Sequence, residues 1–201
     1  MKKRYITAVC CLLAAVLTSL CASLQAQQQR LAEKLIRLHV VANSDTREDQ
    51  RVKLLVRDAV LETADGLLRD AQNPEAALQT GLPELERAAN EKLASLASLG
   101  CEETASVSLR RELFPTREYE TFRLPAGVYR TLRVSIGQAG GHNWWCVVFP
   151  PLCLDSSKVR AEEKKAGYTE EETALLAGKD GSSKVRFFFL DLAAKLRRLF
   201  D

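Results

Sequence analysis

Residues 35–58 read LIRLHVVANSDTREDQRVKLLVRD, and this stretch decides the fold. From Leu35 to Ala42 the pattern alternates, with Ile36, Leu38 and Val40 on one side and Arg37, His39 and Val41 on the other. Period-two alternation predicts a β-strand with one buried face. Asn43-Ser44-Asp45-Thr46 follows. Such short polar side chains bond nearby backbone groups and favour turns and caps. Asp45 with Glu48, or Thr46 with Asp49, has capping-box spacing. Acids there also suit the positive end of the helix dipole. Val52, Leu55, Val56, Ala59 and Val60 then recur at helical period and predict a core-facing stripe. The stretch is a strand, a polar corner and an amphipathic helix reaching about Gly66-Leu67.

Working outward, a second helix is predicted over residues 74–99, with Gly81-Leu82-Pro83 as a candidate break. Leu82, Leu85, Ala89, Leu93 and Leu96 form its stripe, and Gly100 stands where a terminating glycine belongs. Alternation through Val107 and Leu109 predicts a strand over 104–111. Others are predicted over 119–124, 128–136 and 145–149. Over 128–136, Val128, Leu132, Val134 and Ile136 face the core, and Tyr129, Thr131, Arg133 and Ser135 face away. GQAGG at 137–141 reads as a flexible corner. Strands with one polar face argue for antiparallel pairing. The order predicts an α+β two-layer sandwich, with a mostly antiparallel sheet and two long helices on one face. No internal repeat is visible.

The ends differ from this middle. Residues 1–26 carry Lys2-Lys3-Arg4, an apolar run from Tyr5 to Leu20, and small residues in Cys21-Ala22-Ser23 and at Ala26. That order is the pattern of a signal peptide, and it also allows an uncleaved N-terminal anchor. Residues 30–155 form the expected α+β domain. Residues 156–183 read as a charged helical and linker region. Residues 184–201 (KVRFFFLDLAAKLRRLFD) read as an apolar, basic strand and helix that either packs on the domain or touches a membrane surface.

Charge narrows the function. The chain has 29 Lys+Arg and 26 Asp+Glu, and three of the basic residues lie in the acid-free first 26. The remainder is formally neutral, without the basic footprint of a nucleic-acid binder. Export permits disulfides. Cys146 and Cys153 can bridge if the chain reverses at Pro150-Pro151, and the alternative is two buried thiols. No metal-ligand spacing and no cofactor motif is present. Nor is there a G-x-S-x-G elbow, so Ser44 reads as a turn residue and no catalytic residue is assigned. His142 with Cys146 as a dyad is disfavoured by the apolar flanks. Capping and packing leave over His39, Asn43, Gln50 and the mixed charges of the helix face, and His39, Asn43, Asp45, Asp49, Gln50 and Arg57 are expected to form one contact surface. Asn143, Trp144 and Trp145 form a second, since Trp and Arg are favoured anchors.

HVVANSDTREDQRVKLLVRDAV at 39–60 and GHNWWCVVFPPLCL at 141–154 resemble the signature blocks of the stage II sporulation protein R family, with RLPAGVYRTLRVSIG before the second block. The resemblance covers about residues 30–155. It implies a secreted signalling protein of spore-forming bacteria, not an enzyme, that acts between the forespore and mother-cell membranes. Its implied partner is a membrane-embedded aspartic protease of the mother cell, which processes pro-sigma-E. Membrane contact through the N-terminal segment or the C-terminal tail is a further expectation. The competing reading is an exported, cell-wall-directed hydrolase using His39 with Asp45 or Asp49.

Overall fold

A computed structural model describes residues 2–97, 102–119, 122–151, 168, 169, 173 and 176. Cys101, Cys153, nearly all of 156–183 and the whole of 184–201 lie outside the described residues, as do the strand and helix expected in that tail.

The elements are α1 (Lys2–Glu33), β1 (Ile36–Val41), α2 (Arg47–Leu68), α3 (Pro74–Ser95), β2 (Ala105–Phe114), β3 (Arg117–Glu118), β4 (Arg123–Leu124), β5 (Gly127–Ile136) and β6 (Asn143–Phe149). The fold is α+β. The chain divides into two units, one of Glu33–Glu112 and Tyr129–Gly167, the other of Met1–Ala32, Leu113–Val128 and Tyr168–Asp201.

A four-stranded sheet runs in the order β2-β5-β1-β6. β1 pairs parallel to β5, with Leu38 opposite Leu132, and antiparallel to β6, with His39 opposite Trp145. The sheet is therefore mixed, with β1 parallel to one neighbour and antiparallel to the other. Parallel pairing needs a long crossover, and α2, α3, β2, β3 and β4 separate β1 from β5.

One core cluster joins Val52, Val56, Val60, Leu61 and Ala64 of α2 with Leu78, Leu85, Ala89 and Leu93 of α3. From the strands it takes Ile36, Leu38, Val40, Ala105, Val107, Leu132, Val134, Ile136, Cys146 and Val148. The predicted stripe of α2 is corrected at one place: Leu55 is 39% exposed, and Lys53 is buried at 5%. α3 does not break at Pro83. Proline removes one N–H, and the would-be acceptor residue, Gln79, is exposed and can bond water instead.

β1 departs most from expectation. All six of its residues are buried. Arg37 is fully buried, with its guanidinium 5.1 Å from the Tyr129 ring centroid. The expected outward face of β5 is also buried at Tyr129 and Thr131. Burial of all six residues means that both faces of β1 are covered, so its alternation does not mark a solvent side.

In the other unit, α1 runs unbroken for 32 residues, through the segment expected to be a polar lead-in. Its first 20 residues expose Tyr5, Ile6, Val9, Leu12, Leu13, Val16, Leu17 and Leu20, and the helix is long and apolar enough to cross a membrane. Leu31 and Ala32, near its end, are buried. Residues 119–124 are not one strand. β3 and β4 form a small antiparallel pair with Arg117 opposite Leu124. Tyr119 stacks on Phe122, with ring centroids 4.4 Å apart.

The Gly137–Gly141 corner is bonded to the end of β1. Gly140 N donates to Asn43 O and Gly141 N to Ala42 O, both at 3.0 Å, and Gln138 N donates to Asn43 Oδ1 at 3.0 Å. Gly137 has φ +55°, and a Cβ there would strike the Asn43 side chain. A Cβ at Gly141 would strike the Ser44 carbonyl.

Two glycines therefore predict opposite outcomes for one substitution. Gly141→Ala destabilises the full chain by about 1–3 kcal/mol, since a backbone oxygen cannot yield. Gly66→Ala, in α2 with nothing within 4 Å of the added carbon, stabilises it by about 0.5–1 kcal/mol. Urea unfolding of both variants measures the signs.

Candidate recognition site

The polar corner is built by the N-terminus of α2. Thr46, in extended conformation, is its N-cap, and Asp49 N donates to Thr46 Oγ1 at 3.2 Å. Of the two capping pairs allowed by spacing, the structure uses Thr46 with Asp49. Asp49 Oδ2 accepts from Ser44 Oγ at 2.5 Å and from Asn43 Nδ2 at 3.3 Å. Asn43 Nδ2 also donates to Glu103 Oε1 at 3.1 Å. Asn43 thus links three chain segments: the end of β1, the start of α2 and the lead into β2.

Asp45 sits on the outside of the corner. It accepts from His142 N at 2.6 Å, and His142 Nδ1 lies 2.5 Å from the same oxygen. Those hydrogen bonds hold its carboxyl below the ordinary value of 3.8. Beneath it, Lys53 Nζ donates to Gln50 Oε1 at 2.5 Å and to His142 O at 3.0 Å. Burial lowers the Lys53 ammonium from its usual 10.5, and nearby Asp45 opposes that shift. Gln50 Nε2 donates to Ser44 O at 2.9 Å, so the helix face is tied back to the turn.

A second polar group crosses the sheet. Register sets His39 of β1 opposite Arg133 of β5 and opposite Trp145 of β6. Side chains directly across a pair touch. The His39 and Trp145 rings lie 4.9 Å apart at 43°. His39 Nδ1 donates to Glu112 Oε2 at 2.6 Å, and Nε2 lies 2.8 Å from Asn143 Oδ1. Arg133 lies 3.2 Å from His39 Nδ1, which is close packing because that nitrogen already serves Glu112. Glu112 Oε1 takes Arg110 Nε at 2.6 Å and Arg133 at 3.3 Å. Burial makes ionising Glu112 costlier. The bond from His39 and the charges of His39, Arg110 and Arg133 outweigh that and hold it below the ordinary 4.5.

The candidates therefore regroup. His39 does not join Asn43, Asp45 and Asp49. It joins Asn143 and Trp145, and it is buried at 6%. Trp144 points the other way, partly packed on the core, with Arg57 4.6 Å above its ring. Arg57 is held by Asp58 at 2.6 Å. The hydrolase pairing of His39 with Asp45 or Asp49 is not formed. His142 belongs to Asp45, and Cys146 is disulfide-bonded, so the Cys–His dyad is absent as well. The Phe149–Pro150 peptide is cis. None of the nine candidates lines the cavity of about 300 Å³ at the start of β1, which is walled by Lys34, Ile36, Asn73, Glu75, Arg130 and Phe149 among others.

Sequence reading missed Glu112, Glu103 and Lys53 as parts of these groups. Glu112 was lost to a boundary: the strand expected to stop at residue 111 runs to Phe114. Its i, i+2 relation to Arg110 was the available signal.

Fold and site describe an α+β domain that follows an apolar N-terminal helix in the chain and carries two hydrogen-bonded polar groups. A family profile described as stage II sporulation protein R (spore_II_R) matches residues 32–159. The chain is 35% identical over 153 residues to stage II sporulation protein R of Bacillus subtilis (strain 168), covering 72% of this chain and 67% of that protein. This chain belongs to the stage II sporulation protein R family. No solved structure matches it. Its apolar amino-terminal helix fits a secreted or membrane-associated protein.

The Glu112 network makes a pH prediction. Its folded carboxyl ionises more readily than the unfolded one, so its contribution is present above about pH 4.5 and is lost as pH falls through its folded value. Glu112→Gln costs about 2 kcal/mol at neutral pH. Urea titrations from pH 7 to pH 3 should show the gap to the parent closing at the acid end.

Proposed function

We propose that this chain is an exported signalling protein of sporulation. It acts in the space between forespore and mother-cell membranes. There it binds the extracytoplasmic side of a membrane-embedded aspartic protease of the mother cell and shifts it to an active, assembled state. The activated protease removes the pro-sequence of sigma-E.

Family membership supports the setting. The apolar helix of residues 2–33 supports export or tethering. One observation carries the binding role: the candidate side chains are held in bonded arrangements, and the partly exposed pair of Arg57 on Trp144 is an anchor of the type that dominates interfaces. Asn43, Asp45, Asp49 and Gln50 provide an ordered polar rim beside it, which lowers the ordering cost of binding. A ligand moves such an equilibrium only by binding the active state more tightly, so the contact must distinguish the two states of the protease. His39, Asn143 and Trp145 serve this surface by setting the start of β6.

The test is reconstitution in cells that make only the protease, its substrate and this chain. Substrate processing should require the chain. Arg57→Ala or Trp144→Ala should lower its potency about ten-fold or more. Processing without the chain, or folded variants of undiminished potency, overturns the assignment.

A further inference from the structure

The outer face of α2 holds a feature that neither core packing nor the recognition site uses. Leu54 and Leu55 are 38% and 39% exposed, the largest apolar side chains so placed outside α1 among the described residues. Arg51 stands three residues before Leu54, and Asp58 stands three after Leu55. Arg47 stands seven before Leu54, and Glu62 stands seven after Leu55. All six are exposed. At 3.6 residues per turn they occupy one stripe about 22 Å long.

This charge order is unfavourable for the helix by itself. Arg47 with Arg51, and Asp58 with Glu62, are like-charge pairs at i, i+4 spacing, which cost stability. The bases also occupy the N-terminal half and the acids the C-terminal half, the reverse of what the helix dipole favours. Both penalties become gains against an antiparallel helix of the same sequence. A two-fold axis between Leu54 and Leu55 sets each leucine against its counterpart, Arg51 against Asp58 of the second copy, and Arg47 against Glu62 of the second copy. The contact is isologous, so each ion pair is made twice. Asp58 also holds Arg57, yet its side chain remains 59% exposed.

We infer that the outer face of α2 is a self-association surface, on which two copies of this chain pair antiparallel about Leu54 and Leu55. One helix pair of this length buries less than a standard interface of about 1,600 Å², so the dimer is weak and reversible. Its specificity lies in the charges.

Sedimentation velocity of the full chain in non-ionic detergent tests this across a range of concentrations. The parent chain should show a reversible monomer–dimer equilibrium. Arg51→Asp and Asp58→Arg should each weaken self-association about ten-fold or more, since each turns two attractions into repulsions. An equimolar mixture of these two variants should associate again, because every pair then carries opposite charges. Arg51→Asp/Asp58→Arg in one chain should also restore a homodimer. A parent monomeric at all concentrations, association indifferent to the single substitutions, or failure of both restorations overturns the inference.

Discussion

Everything in the described sheet depends on β1 having no solvent side. It is flanked on both edges, parallel to β5 and antiparallel to β6, and all six of its residues are buried. Two of those six are Arg37 and His39. Polar groups taken from water must find partners or the strand is unstable. Arg37 lies against the Tyr129 ring. His39 is enclosed by Glu112, Asn143 and Trp145. The polar row across the sheet is thus a condition of burying β1, and its Asn143 end reaches the exposed start of β6.

The corner after β1 is constrained from the same side. The Gly137–Gly141 loop bonds the backbone of Ala42 and Asn43, so the chain leaving β5 is held against the chain leaving β1. Asn43 then ties both to α2 and Glu103. A rigid corner of this kind suits recognition, because little conformational freedom remains to be lost on binding. The chain's two histidines are engaged apart from each other, His39 with Glu112 and Asn143 and His142 with Asp45.

α2 therefore presents three distinct faces. Val52, Val56 and Val60 enter the core, Gln50 and Arg57 border the corner and Trp144, and Leu54 with Leu55 face out. Apolar residues at helical period do not reveal where the sheet lies, and Leu55 falls outside the buried stripe for that reason. Leu55 fits a 3.6-residue pattern with Val52 and Val56, yet α2 is rotated so that Lys53 is buried in its stead. The ammonium is accepted there because Gln50 Oε1 and His142 O receive it.

By itself the sequence determined what depends on near neighbours. It carried the strand–corner–helix order of residues 35–58, the Thr46 cap, the long α3, most of the apolar stripes, the apolar N-terminal segment and the family blocks. Each is set by alternation, spacing or local hydrogen bonding within a few residues. Only the tertiary structure decided the rest: the parallel pairing of β1 with β5, the burial of Arg37 and His39, and the regrouping of His39 with Glu112, Asn143 and Trp145. Those outcomes join residues at least 73 positions apart. Register and burial come from which strands lie adjacent, and no local pattern along one strand contains that information.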